Sequence, residues 1–510
     1  MSINRRAARN FSGQAANIVV TFADRILLTA VLIRAWGVDV FSDWATVMAG
    51  ASLLLLSEFG FQMLLGNTLV RAAGRGRARA FQRLVGIGLF FYASLGLGVL
   101  GLVVGIVVLA DVGAMFELRG MAGAATVFLI LGLYQTLRLF RSGIIQVFRG
   151  KGEVHQLVWT DARAQAAALP LAIVAAWSGG GPILVAAIYL VTEMIFGELW
   201  AIRLVRRRFP EVRLRIVRPS AAEVRALARS LPWYGWMAST TIVMLQLPVL
   251  IIAWLGLGGA PLIAFVVQRM LVNFGKLLSN SVSMAIGIEL ADLSIRASAA
   301  ERTEGVRLLA RAGTALAALL ISGLLSFGEP LVRFWTGQAG LGSFAILFWL
   351  LLPMVVTAPA VPLQMLTFYA GRPKPQAAAS FVQLAVGVPL AAVAGSIYGV
   401  VGVAFGVAIG EALGLGVVLP LLAARRVQVR YWALLAECTS LLIMALLWSG
   451  LTGWAAGLLF PLDTIAGLAA AIAGWSLAAA LPVMLLGLPA SSRASLLALA
   501  RRLLYRVRRS

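Results

Sequence analysis

The chain has 510 residues, 61% of them hydrophobic and only 12% charged, with a mean hydropathy of +0.93. A soluble domain carries about a quarter of its residues as charges, so composition excludes one. Apolar runs long enough to span a bilayer recur from end to end, which predicts helices crossing the membrane. The formal charge of +23 would suit nucleic acid in a soluble protein, but the basic residues fall in alternate connections between apolar runs and no DNA- or RNA-reading motif accompanies them; no nucleic-acid partner is expected.

Fourteen spans are predicted, at about 14–37, 43–69, 84–110, 121–147, 156–177, 183–204, 232–256, 261–287, 308–328, 343–366, 376–396, 399–423, 433–454 and 464–487. An even number puts both termini on one side. All but six of the 43 basic residues lie on the face of the termini or at span ends touching it. Arg34, Arg119 and Arg333 fall on the other face, while Arg25, Arg269 and Lys276 lie within the membrane. The positive-inside rule therefore predicts cytoplasmic termini.

The N-terminus sets Arg5, Arg6 and Arg9 before an apolar run. Asp24 and Arg25 interrupt that run and no small-x-small site ends it, so it reads as the first span rather than a signal peptide. Gln14, Asn17, Thr21, Asp24 and Arg25 form its polar stripe. In span two Glu58 and Gln62 stand one helical turn apart. Span four contributes Gln135, Arg138, Ser142 and Gln146 with Arg141 beside them, its lower end placed to snorkel to the surface.

The densest basic segment runs from Arg203 to Arg229 and divides a first lobe (1–205) from a second (231–425) through a linker at 206–230. An internal echo supports the division: Val31-Leu32-Ile33-Arg34-Ala35-Trp36 ends span one, and Val249-Leu250-Ile251-Ile252-Ala253-Trp254 ends span seven. Continued without a gap, the echo registers Glu58 and Gln62 onto Lys276 and Asn280, putting matched polar pairs on facing walls of two related lobes.

Span eight carries the sharpest signal. Arg269, Asn273, Lys276, Asn280 and Ser283 recur at i, i+4, i+7, i+11 and i+14, a stripe about 21 Å long on one face. Each unpaired cation at mid-bilayer costs roughly 2.5–3.5 kcal/mol. Two of them imply a wet cavity or an anionic ligand; the alternative is ion pairs to carboxylates on other helices. Pro248 in span seven and Pro353, Pro359 and Pro362 in span ten each remove a backbone hydrogen bond and permit kinks. Span twelve places Gly402, Gly406, Gly410 and Gly414 at a four-residue stride, a flat face for close helix contact. Glu411 beside it is either an ion-pair partner or a coupling-ion site. Two further spans (426–488) and a basic tail (489–510) complete the chain. Leu496, Leu499, Leu503 and Val507 share one face of the tail, suiting either a helix on anionic lipid or a charge that only fixes topology.

Cys438 is the single cysteine and His155 the single histidine, so neither a disulfide framework nor a Cys/His metal site is expected, and no cofactor is implied. Cys438 reads as a packing residue and His155 as a solvated residue of a basic connection.

Four stretches resemble polysaccharide flippases of the multidrug/oligosaccharidyl-lipid/polysaccharide (MOP) exporter superfamily. They are Ser57-Glu58-Phe59-Gly60-Phe61-Gln62, Pro330-Leu331-Val332-Arg333-Phe334-Trp335-Thr336-Gly337, Tyr369-Ala370-Gly371-Arg372-Pro373-Lys374 and Tyr398-Gly399-Val400-Val401-Gly402-Val403-Ala404. The resemblance implies an all-α fold of two six-helix lobes around a central cavity, with two extra helices. It also implies a polyprenyl-pyrophosphate-linked oligosaccharide as substrate. In the related peptidoglycan-precursor flippases, cavity arginines on spans one, two and eight matter; Arg25 and Arg269 match two of these, whereas span two offers Glu58.

On this reading Arg25, Arg269 and Lys276 face the pyrophosphate, Asn273, Asn280 and Gln62 face sugar hydroxyls, and Arg138 lines the same cavity. Asp24, Glu58 and Glu411 are candidate proton or sodium sites. The expected partners are the lipid-linked substrate, membrane lipids, and glycosyltransferases and a polymerase of the same pathway. A drug/cation antiporter of the same superfamily is the alternative transporter. A glycan polymerase or ligase would be expected to need a sizeable external loop, and the predicted external connections, such as Ser178-Gly179-Gly180-Gly181-Pro182, are short.

Overall fold

The computed structural model describes residues 20–296, 299–369, 373–427 and 430–487, with side chains at 161, 280–296, 299–302, 368–369 and 425–427 outside the description. Gln14, Asn17, the basic N-terminal residues, Ala370-Gly371-Arg372, the tail, and the side chains of Asn280 and Ser283 therefore lie outside the described residues.

Eleven helices among the described residues are long and apolar enough to cross a membrane. Two of them divide at a glycine in the left-handed region, Gly37 (φ +80°) in Val20–Glu58 and Gly399 (φ +60°) in Lys374–Ala424. With these divided, and with Val154–Trp177 added, whose first half carries Asp161, Arg163 and Gln165, the described residues hold fourteen long helices. In chain order they are α1 (20–36), α2 (38–74), α3 (Ala78–Leu109), α4 (Ala124–Gly150), α5 (Val154–Trp177), α6 (Pro182–Arg208), α7 (Leu231–Trp254), α8 (Ala260–Arg296), α9 (Ala299–Thr336), α10 (344–369), α11 (374–398), α12 (400–427), α13 (Tyr431–Leu459) and α14 (Ile465–Gly487). His155 opens α5 and is half-buried, so it belongs to a helix and not to the connection before it.

The chain forms two compact units. The first comprises Met1–Val266, Trp335–Gly337 and Val388–Val403; the second comprises Val267–Phe334, Gln338–Gly387 and Ala404–Ser510. Helix α7, which the sequence assigns to the second lobe, lies in the first unit, where it packs on α2.

Within the first unit, α2 is broken. Leu54–Glu58 tightens to a 3-10 turn, Phe59 (φ +43°) and Gly60 (φ +72°) turn left-handed, and the helix restarts at Phe61. The break sits where α7 crosses. A Cβ on Gly60 would lie 2.4 Å from the Tyr234 backbone, and one on Gly235 would lie 2.2 Å from the Phe59 ring. The Glu58 carboxylate accepts from the Gln62 N–H at 2.9 Å and caps the restarted segment. Glu58 and Gln62 therefore do not stand one regular turn apart on a shared stripe, as the helical spacing predicts.

The basic linker is strapped to the ends of α3 and α4. Arg83 grips Glu223 through two bonds (2.5 and 2.9 Å), Lys151 pairs with Glu211 at 2.7 Å, and Arg208 with Glu153 at 3.2 Å. The Val217 N–H donates to the Gly86 carbonyl. Glu223 also closes a capping box with Ser220 on the helix Ala221–Ala228. The Arg83 guanidinium, with Ser220 adding to it, holds Glu223 down to about 2.

In the second unit α10 changes pitch at Ala358–Ala360, a 3-10 turn holding Pro359. Gly410 and Gly414 of α12 meet the α11 backbone, where added Cβ atoms would lie 2.5 Å from Gly387 and from the Ala379 carbonyl. The added pair α13 and α14 docks on α9. Arg307 and Arg311 both bind Glu437, and Arg311 also donates to the Leu486 and Gly487 carbonyls. Cys438 is fully buried among Val306, Leu309 and Leu434, a packing position.

Candidate functional sites in the two units

The first unit gathers a polar group on its apolar helices. Residues Asp24–Leu28 of α1 wind as a π-helical turn, a local widening that re-aims side chains. The turn carries Asp24 half-buried and Arg25 exposed. The Tyr189 hydroxyl donates to Asp24 at 3.0 Å, and its ring meets Tyr134 edge-on. Arg138 lies over the Tyr134 ring at 5.6 Å and donates to Gln135, which in turn donates to Ser52. Glu58 accepts the Tyr92 hydroxyl at 2.5 Å as well as the Gln62 N–H. Asp24 and Arg138, on different spans, are thus linked through the Tyr189–Tyr134 pair, while Glu58 meets Tyr92 and the Gln62 N–H.

The Pro330–Gly337 stretch ends in this unit as well. The Trp335 indole donates to the Ile26 carbonyl of the π-helical turn at 2.7 Å, and Arg34 donates to the Trp335 carbonyl at 3.2 Å. An aromatic donor from a distant segment is thereby fastened to the backbone that displays Asp24 and Arg25.

Sequence reasoning passed over Glu193 and Glu198. Residues Glu193–Leu199 of α6 form a second π-helical stretch. Glu193 pairs with Arg141 at 2.9 Å, with side-chain exposures of 3% and 5%. Glu198 Oε2 is buried without a hydrogen-bond partner among the described residues, while Arg163 stacks over Trp200. Two carboxylates inside the apolar run of span six, with an arginine in span four, were the available signal. Arg141 therefore serves a buried ion pair rather than the lower edge of a snorkelling stripe.

In the second unit the α8 stripe divides by role. Gln268, immediately before it, is buried and bonds to the Leu341 carbonyl and the Ser343 N–H. Arg269 and Asn273 are half-buried. Lys276 Nζ lies 2.7 Å from each carboxylate oxygen of Glu411, with exposures of 20% and 16%. Of the two readings of Lys276 open in the sequence, the ion pair is the one present, and the expectation of an unpaired cation there is corrected. The pair borders a cavity of about 60 Å³ lined also by Ser279, Thr357 and Gln364. A third π-helical stretch, Ala412–Val418, begins directly after Glu411.

The predicted gapless register between the lobes meets an offset. The left-handed glycine that follows each echo stands one residue after Trp36 (Gly37) but two after Trp254 (Gly256). Helix resumes two residues after Trp36 but six after Trp254, at Ala260, so the connections do not keep the gapless pairing of Glu58 and Gln62 with Lys276 and Asn280.

No family profile matches the chain, and no curated protein sequence matches it. Solved structures do match it. An inward-facing multidrug-resistance MATE family transporter of the MOP superfamily aligns with a TM-score of 0.62 at 14% identity, over 81% of this chain and 95% of that one. The lipid II flippase MurJ, in an inward closed conformation, aligns at 0.60 and 12% identity, over 90% of this chain and 97% of that one. The eukaryotic MATE transporter AtDTX14 aligns at 0.57 and 16% identity, over 86% and 99%. The protein is an all-helical polytopic membrane protein. Its fold is the one that MATE transporters and MurJ share.

Proposed function

We propose that this protein is an alternating-access transporter that moves a polyprenyl-pyrophosphate-linked oligosaccharide across a bacterial cytoplasmic membrane, with both termini cytoplasmic. The observation that carries this reading is the charged cluster on the apolar helices of the first unit, where Arg138 lies over the Tyr134 ring, and Tyr134 meets Tyr189, the donor to Asp24 beside Arg25. A guanidinium there attracts an anionic headgroup; one ion pair at 4 Å and an effective dielectric of 20 is worth about 4 kcal/mol before desolvation. The fold supports the reading, since the match to a lipid-linked flippase extends over 90% of the chain. Within the first unit Arg25 and Arg138 take the pyrophosphate, and Gln62 takes sugar hydroxyls. Lys276 is committed to Glu411 and is not counted among the headgroup ligands. Glycosyltransferases and a polymerase supply and consume the substrate.

The test is flipping of a fluorescent polyprenyl-pyrophosphate glycan in proteoliposomes. The double variant Arg25→Gln/Arg138→Gln is expected to flip at least tenfold more slowly at unchanged insertion and melting temperature, the loss of about one charge-assisted hydrogen bond. Wild-type flipping rates in that variant would overturn the headgroup role. A second reading, drug/cation antiport, is favoured by Asp24 and Glu58 in the same neighbourhood. It predicts proton- or sodium-driven efflux of a cationic dye and no glycan movement in the same vesicles.

A further inference from the structure

We propose that Glu411 and the polar walls around it form a small-cation site whose resident cation is the protein's own Lys276 ammonium. The ammonium sits equidistant from both carboxylate oxygens, 2.7 Å from each, which is how a carboxylate holds a cation bidentately rather than through a single hydrogen bond. Ser279, Thr357 and Gln364 line the cavity that the pair borders, and their side-chain oxygens are hard donors of the kind that replace the hydration shell of a small monovalent ion. The cavity of about 60 Å³ beside them has room for water with the ammonium in place. Shortening the lysine adds the volume of its head to that space.

Glu411 ends the regular part of its helix, and the π-helical stretch Ala412–Val418 starts at the next residue. A widened turn frees backbone from the i to i−4 ladder at the point where a buried charge must be held. The lysine reaches Glu411 from another helix, so the site joins α8 to α12 through charge. With its cation covalently supplied, this carboxylate needs no external cation.

The experiment uses the purified full-length protein and its thermal unfolding at constant ionic strength in sodium, methylammonium or choline chloride, a readout independent of any glycan substrate. The wild type is expected to melt at the same temperature in all three. Lys276→Met is expected to melt lower in choline and to recover roughly 5 °C, saturably, in sodium or methylammonium, because a ligand bound only to the folded state stabilises it. Lys276→Met/Glu411→Gln is expected to lose that recovery. A Lys276→Met protein that responds to no small cation, or only to lowered pH, overturns the proposal, since its carboxylate then neutralises itself by protonation. Where Lys276→Met does not accumulate, Lys276→Gln is put through the same comparison. Failure of both variants to fold in sodium as well as in choline counts against the site.

Discussion

Glu58 shows how one side chain carries several demands. Its carboxylate accepts from the buried Tyr92 hydroxyl and from the Gln62 N–H that begins the second half of α2. An amide oxygen satisfies both donors, and a methyl group neither. Glu58→Gln is therefore expected to stay within about 1 kcal/mol of the wild type, while Glu58→Ala costs about 2–4 kcal/mol because two donors lose their acceptor. Melting temperatures in detergent measure the difference. The same pair separates structure from coupling: an ion site at Glu58 would leave Glu58→Gln folded but unable to transport. Lys276 illustrates the opposite lesson. A cation in an apolar helix announces that something must compensate it, and the compensating Glu411 lies 135 residues away.

Among the elements, the linker between α6 and α7 is set by charge. Read as sequence it is a run of arginines that fixes topology. Folded, its acidic residues Glu211 and Glu223 face Lys151 and Arg83, and its backbone bonds to Gly86. Glu223 is held well below its ordinary value of 4.5, down to about 2, so its contribution is full above 4.5 and lost as pH falls through 2. Hydrogen exchange of residues 206–230 is accordingly expected to stay slow from neutral pH to about 5 once corrected for intrinsic rates. Protection is expected to fall progressively between about 4.5 and 2. Arg83→Ala is expected to speed exchange at neutral pH as well. The exposed pair stabilises the strap locally and is screened by salt.

At the scale of the whole molecule, the proposed cargo bears about two negative charges, and an inside-negative potential favours its export by about 2.3 kcal/mol per charge per 100 mV. In proteoliposomes holding a potassium diffusion potential, outward accumulation of the labelled glycan is expected to rise tens-fold over the zero-potential value for each net charge moved. Accumulation indifferent to voltage would mean that the charge is carried across already neutralised. The two units each contain charged side chains on apolar helices, but they handle them differently: the first groups Arg25, Arg138, Asp24 and Glu58, and the second locks Lys276 to Glu411.

Composition and periodicity determined the helical membrane class and the succession of long apolar helices, because both are properties of local segments measured against the thickness of the hydrocarbon layer. The glycine stride of α12 was legible for the same reason. Tertiary structure decided who meets whom. Nothing in the spacing of Ser57 to Gln62 tells that α7 crosses there and forces Phe59 and Gly60 into left-handed backbone, that Trp335 closes on the Ile26 carbonyl, or that Glu193 answers Arg141. Ion pairs and backbone crossings between distant segments depend on three-dimensional proximity, which a one-dimensional pattern of polar residues marks but does not pair.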